Sequence, residues 1–343
     1  MKKSRKTTLS DLSKALNLNI STISRALNDH PKVNETTKKL IKEKAKELDY
    51  RPNPLAQGLQ KQNTKTIGVI FPTFDTNFFF RVLKGIEKMM HESGYQIIIS
   101  TAGESRIQEK KAIQSLSSYH VSGIIVFLSF EHEDPSFLID IQDEGIPLLF
   151  MDRIYEEIDA NYVISDDFVG MYDTVNQFIS KGTKNIIHLQ GNLQISTAFN
   201  RLLGYKEALL KNKISLNPDF IIPCQHQTEV KTGLRNLFSK YALEDIDLIT
   251  CYNDYYAFQA LEFLKENNIR IPQDIQLLGF ANEPLSVYTS PKLSTINQPA
   301  EEMGVIASEM ILQEIQHNQQ GESYQFLTKK MSTFYLKRES TLL

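Results

Sequence analysis

Six side chains that could contact DNA bases lie close together in the segment TLSDLSKALNLNISTISRALN, residues 8–28. They comprise an apolar tip, three hydroxyls, a guanidinium and an amide: Ile20, Ser21, Thr22, Ser24, Arg25 and Asn28. A guanidinium can donate two hydrogen bonds to guanine, hydroxyls adapt to either role, and an apolar tip can contact a thymine methyl group. The pattern therefore predicts hydrogen bonding in the major groove.

Two short helices joined by a tight turn are the elements that would present these side chains. Thr8 can cap a helix over Leu9–Leu16, and Asn17 suits the turn because it tolerates the left-handed region. Asn19 can cap the second helix. Its apolar residues would face Leu12 and Leu16: Ile23, Ala26 and Leu27. An ordinary helical hairpin with a polar solvent face remains the alternative at this point.

A third helix and a short fourth helix are predicted next. Asn34 can cap a helix over Glu35–Asp49, with a buried stripe of Leu40, Ile41, Ala45 and Leu48. Pro54 can open a short helix over Leu55–Gln60, which Gly58 weakens. Polar residues 60–64 then form a linker, so the sequence predicts an all-α unit followed by a hinge.

Charge is unevenly distributed along the 343 residues. Residues 1–62 contain 14 Lys and Arg against 6 Asp and Glu, and the remainder contains 24 against 35. A basic head on an acidic body indicates that the head alone binds a polyanion, whereas a merely solvated charged face is the alternative.

Beyond Lys65, short apolar segments alternate with helical patterns in two successive series. Such alternation predicts parallel, doubly wound sheets covered by helices on both faces, and two series predict two α/β lobes. Ligands of such sheets collect outside the carboxyl ends of the strands, which places a cleft between the lobes.

Polar and aromatic side chains that follow the predicted strands are candidate cleft residues. Phe78 and Phe79 follow the first strand, and Asp152 and Arg153 follow the strand Pro147–Met151. Asn253 and Asp254 follow a later strand, Asp247–Thr250. Acid, amide and arginine groups suit polyhydroxyl ligands because each forms paired hydrogen bonds. Each could instead be a helix cap or an ion pair, and the aromatic rings could be core.

We expect no catalytic residue, no metal site and no cofactor. Cys224 and Cys251 are not in a CxxC pair, the seven His are scattered, and no GxSxG, P-loop or GxGxxG motif occurs. Asp166-Asp167 resembles a carboxylate dyad but is interpreted as part of a lobe crossing. The basic start lacks an apolar signal segment and no membrane-spanning run follows, so a cytoplasmic protein is expected.

The chain as a whole resembles the lactose-repressor/galactose-repressor (LacI/GalR) family of bacterial transcriptional regulators. The resemblance starts in the segment of residues 7–59 and continues through TIGVIFP, GIPLLFMDR, NRLLGY, NDYYAFQALEFL, IPQDIQLLGF and SPKLSTINQPAEEMG. It implies a homodimer that binds operator DNA and is controlled by a small-molecule effector, a carbohydrate or sugar derivative. A stand-alone solute-binding module of the same two-lobe plan is the alternative, and the basic head argues against it.

The resemblance also implies domain limits. The helix-turn-helix headpiece would cover residues 1–52, the hinge 53–64 and the periplasmic-binding-protein-like effector domain 65–343. The chain would cross between lobes near Ser165, Leu293 and Gln325. Lobe one would then hold about 65–164 and 296–325, and lobe two about 166–292 and 329–343.

Roles in DNA binding follow from the same resemblance. Ile20, Ser21 and Arg25 match the positions by which relatives choose bases. Phosphate contacts are expected from Thr8, Thr22, Ser24 and Asn28. The hinge residues expected in the minor groove are Asn53, Leu55, Ala56 and Leu59, with Leu59 as a wedge between base pairs.

The resemblance to the family is less uniform at the positions expected to bind the effector. Arg201 stands where the family places a ligand-binding arginine. Ala281 stands where sugar-binding relatives often carry Asp, which counts against a simple free sugar, although Asn282 could substitute. Ile195 replaces an arginine of a purine-binding relative. Thr76-Asn77 replaces the usual Asn-Pro, and Asn17 the usual turn glycine.

Overall fold

The computed structural model describes residues 7–50, 64–129, 136–154 and 158–343. The chain divides into two compact units, Met1–Thr64 and Lys65–Leu343. The hinge residues Asn53, Leu55, Ala56 and Leu59 lie outside the described residues.

The described part of the first unit, residues 7–50, contains three helices: α1 (Leu9–Leu16), α2 (Ile20–Leu27) and α3 (Glu35–Glu47). Thr8 and Asp11 form a reciprocal capping box at the start of α1. Asn17 ends α1 with a φ of 51°, in the left-handed region that its sequence position predicts. Asn34 caps α3 by accepting from the amide of Thr37, whereas the side chain of Asn19 makes no capping hydrogen bond.

Apolar side chains from all three helices form the core of this unit. Leu12, Ile23 and Ala26 are buried together with Ile41 and Ala45, as the sequence predicts. Leu40 was wrongly assigned to this core, because its side chain is 52% exposed. The buried stripe of α3 runs through Lys38, Ile41 and Ala45, and Leu40 lies one residue, about 100°, away from Ile41.

The first lobe of the second unit is a six-stranded sheet with helices on its faces. Its elements are β1 (Thr66–Phe71), α4 (Asn77–Glu92), β2 (Gln96–Thr101), α5 (Arg106–Ser118), β3 (Gly123–Phe127), α6 (Ser136–Asp143), β4 (Leu148–Met151), β5 (Asn161–Ser165), α11 (Ala300–Gln320) and β11 (Thr328–Met331). The strand order is β11-β5-β4-β3-β1-β2, and every pair is parallel.

The second lobe repeats this plan. Its elements are α7 (Asp167–Ser180), β6 (Ile186–Gln190), α8 (Ser196–Lys211), β7 (Ile221–Pro223), α9 (Val230–Phe238), β8 (Leu248–Cys251), α10 (Asp254–Glu266), β9 (Gln276–Phe280), β10 (Ser294–Asn297) and β12 (Phe334–Leu336). The order is β12-β10-β9-β8-β6-β7; only β12 is antiparallel among the described pairs of this sheet. The predicted pair of parallel, doubly wound lobes is thus confirmed.

Two of the three crossings lie later than the sequence suggested. Strand β10 pairs with β9 in the second sheet, so the second crossing follows Asn297 rather than lying near Leu293. Strand β11 pairs with β5 in the first sheet, so the third crossing follows Met331 rather than lying near Gln325. Strands β5, β10, β11 and β12 were not predicted from the sequence.

Close helix packing in the first lobe depends on two glycines. A Cβ added to Gly85 of α4 would lie 2.0 Å from the carbonyl oxygen of Glu301, and one added to Gly304 of α11 would lie 2.1 Å from that of Val82. The backbones of α4 and α11 therefore touch. Among the described residues, no helix is both long and apolar enough to cross a bilayer.

Candidate DNA-binding surface and effector cleft

Helix α2 presents most of the predicted base-contacting side chains to solvent. Ile20 is 48% exposed, and Ser21 and Arg25 are also exposed. Ile23 and Ala26 on the opposite face are completely buried. The helix is thus anchored through one face, and the other could enter a groove as a rigid surface.

The predicted phosphate-contacting residues are arranged around the same surface. Thr22 and Ser24 are half-buried on α2. The amide of Asn28 donates to the carbonyl oxygen of Ser24 at 2.8 Å. The Thr8 hydroxyl donates to Asp11 Oδ2 at 2.7 Å within the capping box, so its first role is to fix the start of α1.

A cavity of about 210 Å³ lies between the two lobes at the carboxyl ends of their strands. Six predicted effector residues line it: Phe78, Phe79, Asp152, Arg153, Arg201 and Asn253. Ligand pockets for drug-sized molecules usually measure about 300–1,000 Å³. This cavity is smaller than that range.

Arg153, which is only 7% exposed, is neutralised by an acid from another loop. Its Nη2 lies 3.0 Å from Oε1 of Glu104, and its Nη1 lies 3.1 Å from Oε2, so the pair is bidentate. Nη1 also donates to the carbonyl oxygens of Leu128 and Ser129. The ion pair and the carbonyls hold the guanidinium at the first-lobe wall.

Arg201 at the second-lobe wall is paired with one carboxylate oxygen of Asp167. Its Nη2 lies 3.2 Å from Oδ2 of Asp167, and its Nη1 donates to the carbonyl oxygen of Tyr252 at 2.7 Å. The guanidinium carbon lies 3.8 Å from the centre of the Phe280 ring. Burial raises the pKa of Asp167 to about 6, and the charge of Arg201 opposes that rise.

Asp152 supplies a carboxylate without such a bidentate partner. Its Oδ1 is shielded from solvent and has no hydrogen-bond partner among the described residues, and the same is true of Arg201 Nε. Burial raises the pKa of Asp152, whereas the nearby charges of Arg153 and Arg201 lower it. Two residues that line the cavity therefore each carry one unpaired polar atom, an acceptor on Asp152 and a donor on Arg201.

Glu283 joins the two lobes across the cleft. Its carboxylate accepts from the backbone amides of Asn77 and Phe78, at 3.1 and 3.2 Å, at the start of α4. The N-cap residue of α4, Thr76, makes no side-chain capping bond, so the cap of this helix comes from the opposite lobe. Arg81 of α4 reaches back, donating to the carbonyl oxygens of Ala281 and Asn282.

Two predicted effector residues do not line the cavity. Asp254 is completely buried; it accepts from the Thr295 hydroxyl at 2.7 Å and from the Glu283 amide at 2.7 Å. Asn282 donates to Asn297 and accepts from Arg338, so it does not replace the missing acid as suggested. Both residues instead fix the loop that carries Glu283.

The remaining predicted residues line the cavity and also stabilise the fold, as a helix cap or as part of the core. Asn253 caps α10 by accepting from the amide of Tyr256 at 3.1 Å, the alternative that its sequence position allowed. Phe79 packs against Phe71 and Phe127 in the first-lobe core. Phe78 contacts Phe79, and both are 5% exposed, so the aromatic wall is part of the core as well.

Several cleft residues were missed by sequence reasoning. Glu104, Glu283 and Gln298 line the cavity, and Asp167 neutralises Arg201 behind it. A second-lobe loop contributes Gln225, His226 and Gln227. Position in the sequence could have identified these residues, because each of them follows a strand or lies at a lobe crossing. Asp166 caps α7 through Val169, so Asp166-Asp167 is a crossing with an ion pair, not a dyad.

Comparisons with known proteins agree with this architecture. A family profile described as periplasmic binding proteins and sugar binding domain of the LacI family matches residues 64–338, and one described as bacterial regulatory proteins, lacI family, matches residues 8–53. The ribose operon repressor of Haemophilus influenzae is 31% identical over 90% of this chain and 92% of its own.

Two further relatives extend the comparison. The transcriptional regulator RegA of Clostridium acetobutylicum is 32% identical over 89% of this chain and 91% of its own. The structure of the lac repressor dimer bound to operator superposes with a TM-score of 0.81, covering 99% of this chain and 100% of that one at 22% identity. These relatives are transcriptional regulators, and the two-unit architecture is shared with them.

Proposed function

Because the chain belongs to the LacI family of bacterial regulatory proteins, as its motifs predicted, we propose that it represses transcription from an operator that α2 reads and that a carbohydrate in the cleft controls. It is a DNA-binding transcriptional regulator, and the match of residues 8–53 leaves the stand-alone solute-binding alternative without support. No enzymatic step is assigned. Operator DNA places the protein in the cytoplasm.

The observation that carries the DNA-binding assignment is the one-sided burial of α2. Ser21 and Arg25 are exposed on the helix whose Ile23 and Ala26 are completely buried. Arg25 would form two hydrogen bonds to guanine, Ser21 would select its neighbour, and Ile20 would contact a thymine methyl group. In the hinge segment, Leu59 and its neighbours keep the minor-groove roles expected from the sequence.

A homodimer would place two copies of α2 on a pseudo-palindromic site. Relatives include the lac repressor dimer bound to operator. Edge strand β2 of the first sheet exposes Ile98 by 38% and Ile99 by 45%, and Phe80 of neighbouring α4 is 50% exposed. An edge strand with exposed isoleucines is a pairing hazard unless it is covered. We assign this surface to the second copy of the chain.

Effector control would act through the contacts that join the lobes. Glu283 and Arg81 connect α4 to the second-lobe loops at the rim of the cavity. A ligand that fits between the lobes would favour one lobe arrangement over the other. Its effect on operator affinity is limited to its differential affinity for the two arrangements, typically about 1–3 kcal/mol.

The test is selection of DNA duplexes from a random pool by the full chain, followed by titrations at fixed salt. A pseudo-palindromic site should emerge, and one carbohydrate should change operator affinity at least about fivefold. Recovery of no preferred sequence would contradict the DNA-binding role of α2. Operator binding that no carbohydrate changes would contradict the effector assignment only.

A further inference from the structure

The charges of the effector cleft are unequal. Among the described residues that line it, Asp75, Glu104, Asp152 and Glu283 are acids, against the two arginines Arg153 and Arg201. An anionic ligand would have to enter a cavity where carboxylates outnumber guanidiniums. Like charges in a partly desolvated site repel strongly, because the effective dielectric constant is low.

Neither arginine is available as an anion site. Glu104 accepts from both terminal nitrogens of Arg153 in a bidentate pair. Asp167 pairs with Arg201 at 3.2 Å, and the side chains are only 2% and 4% exposed, respectively. A phosphate or carboxylate ligand would have to compete with a resident carboxylate for each guanidinium, and the bidentate pair at Arg153 is of the stronger kind.

The open polar atoms of the cleft favour a hydroxyl group. Asp152 Oδ1 can only accept, and Arg201 Nε can only donate; neither has a hydrogen-bond partner among the described residues. A hydroxyl group can donate to a carboxylate oxygen and can also accept from a guanidinium, so a hydroxyl-rich ligand can pair with either atom. A phosphate oxygen would face Asp152 with like charge, and an ammonium group could not accept from Arg201.

Two acids that line the cleft have left-handed backbone conformations. Glu104 has a φ of 53°, in the left-handed region where residues with a Cβ are disfavoured by about 1–2 kcal/mol. Asp152, with a φ of 67°, shares this strain.

We propose that the cleft selects an uncharged, hydroxyl-rich ligand and rejects phosphorylated and carboxylated sugars, with Glu104 and Asp167 as the residues that set this selectivity. This inference rests on the proposed carbohydrate control and names its ligand class. It also readmits the free sugar that Ala281 counted against, because Asp152 supplies a carboxylate among the lining residues.

Thermal unfolding and calorimetric titration of the full chain test this proposal with matched probes. The neutral set is D-ribose, D-glucose and cellobiose; the charged set is ribose 5-phosphate, glucose 6-phosphate, D-glucuronate and glucosamine. We expect at least one neutral sugar to bind at least about tenfold more tightly than its charged analogues. Tighter binding of a charged analogue would overturn the inference and leave carbohydrate control intact. Binding of no member would count against carbohydrate control itself.

A variant that replaces one carboxylate by an amide of the same size provides a readout that is independent of the sugar. Glu104→Gln frees the Arg153 guanidinium, so inorganic phosphate and ribose 5-phosphate should bind at least about tenfold more tightly than to the wild type. Asp75→Asn is the matched control, because it removes one carboxylate from the same cavity without freeing an arginine. Equal phosphate binding by the wild type and Glu104→Gln, or an equal gain in Asp75→Asn, would refute a specific role for Glu104.

Discussion

The Oε1 atom of Glu283 in the second lobe accepts a hydrogen bond from the backbone amide of Phe78 in the first lobe, at 3.2 Å. The acid thereby replaces the local N-cap of α4 and uses the positive end of the helix dipole to join the lobes. Burial raises the pKa of Glu283, so the contact also holds a carboxylate where water cannot solvate it well.

Glu283→Gln should weaken this connection. The amide can still accept one hydrogen bond but has no negative charge for the helix dipole, so the free energy of unfolding should fall by about 1 kcal/mol. Chemical denaturation of the full chain measures the change. Glu244→Gln, at an exposed second-lobe position, is the control, and an equal loss there would remove the special role of Glu283.

Arg201→Ala should lower the free energy of unfolding by about 3–5 kcal/mol, because it leaves Asp167 buried without its counter-charge. Adding Asp167→Asn should recover part of that loss, since the amide can still accept from the Ser165 hydroxyl. Denaturation of both variants and of the single Asp167→Asn variant completes a double-mutant cycle. Additive losses would show that the ion pair is not coupled.

Arg25→Ala should weaken operator binding by about 1–3 kcal/mol and relax base preference at one position. Lys39→Ala, an exposed cation on α3, is the matched control for loss of positive charge. Affinity for the selected operator and for single-base variants gives both quantities. An unchanged base preference in Arg25→Ala would move sequence reading away from α2.

Stability should depend on pH through Glu314. Burial raises its pKa to about 7, while the hydrogen bond from Asn161, at 2.7 Å, opposes the rise. The folded state therefore binds this proton more tightly than the unfolded state, whose pKa is 4.5. Stability from this group is greatest below pH 4.5 and is lost as the pH rises toward about 7.

Glu314→Gln should remove that loss and stabilise the protein at pH 8 by roughly 2 kcal/mol, because no charge then has to be buried. Unfolding measured from pH 5 to pH 8 should be flatter in this variant than in the wild type. Glu309→Gln, exposed on the same helix, should leave the slope unchanged. A wild-type slope in Glu314→Gln would assign the pH dependence to Asp167 and Asp254.

Local chemistry was predictable from the sequence. The capping box of Thr8, the left-handed Asn17 and the alternation of strands and helices all follow from neighbouring residues. The pairs that define the cleft do not, because they join residues far apart in the chain. Arg153 and Glu104 are 49 positions apart, and Glu283 and Phe78 are 205 apart. Sequence reasoning therefore placed the arginines correctly in the cleft but missed the acids that neutralise them.

The pairing of β11 with β5 has a consequence for synthesis of the chain. The first sheet starts at Thr66 but is complete only when Met331 has emerged, and its helix α11 ends at Gln320. At translation rates of about 5–20 residues per second, the early strands wait roughly 10–50 s for these partners. The first lobe also lacks the buried side chains of α11 until late in synthesis, whereas the second lobe then lacks only its edge strand β12 among the described strands. The lobe encoded in the middle should therefore fold on the ribosome before the lobe encoded first.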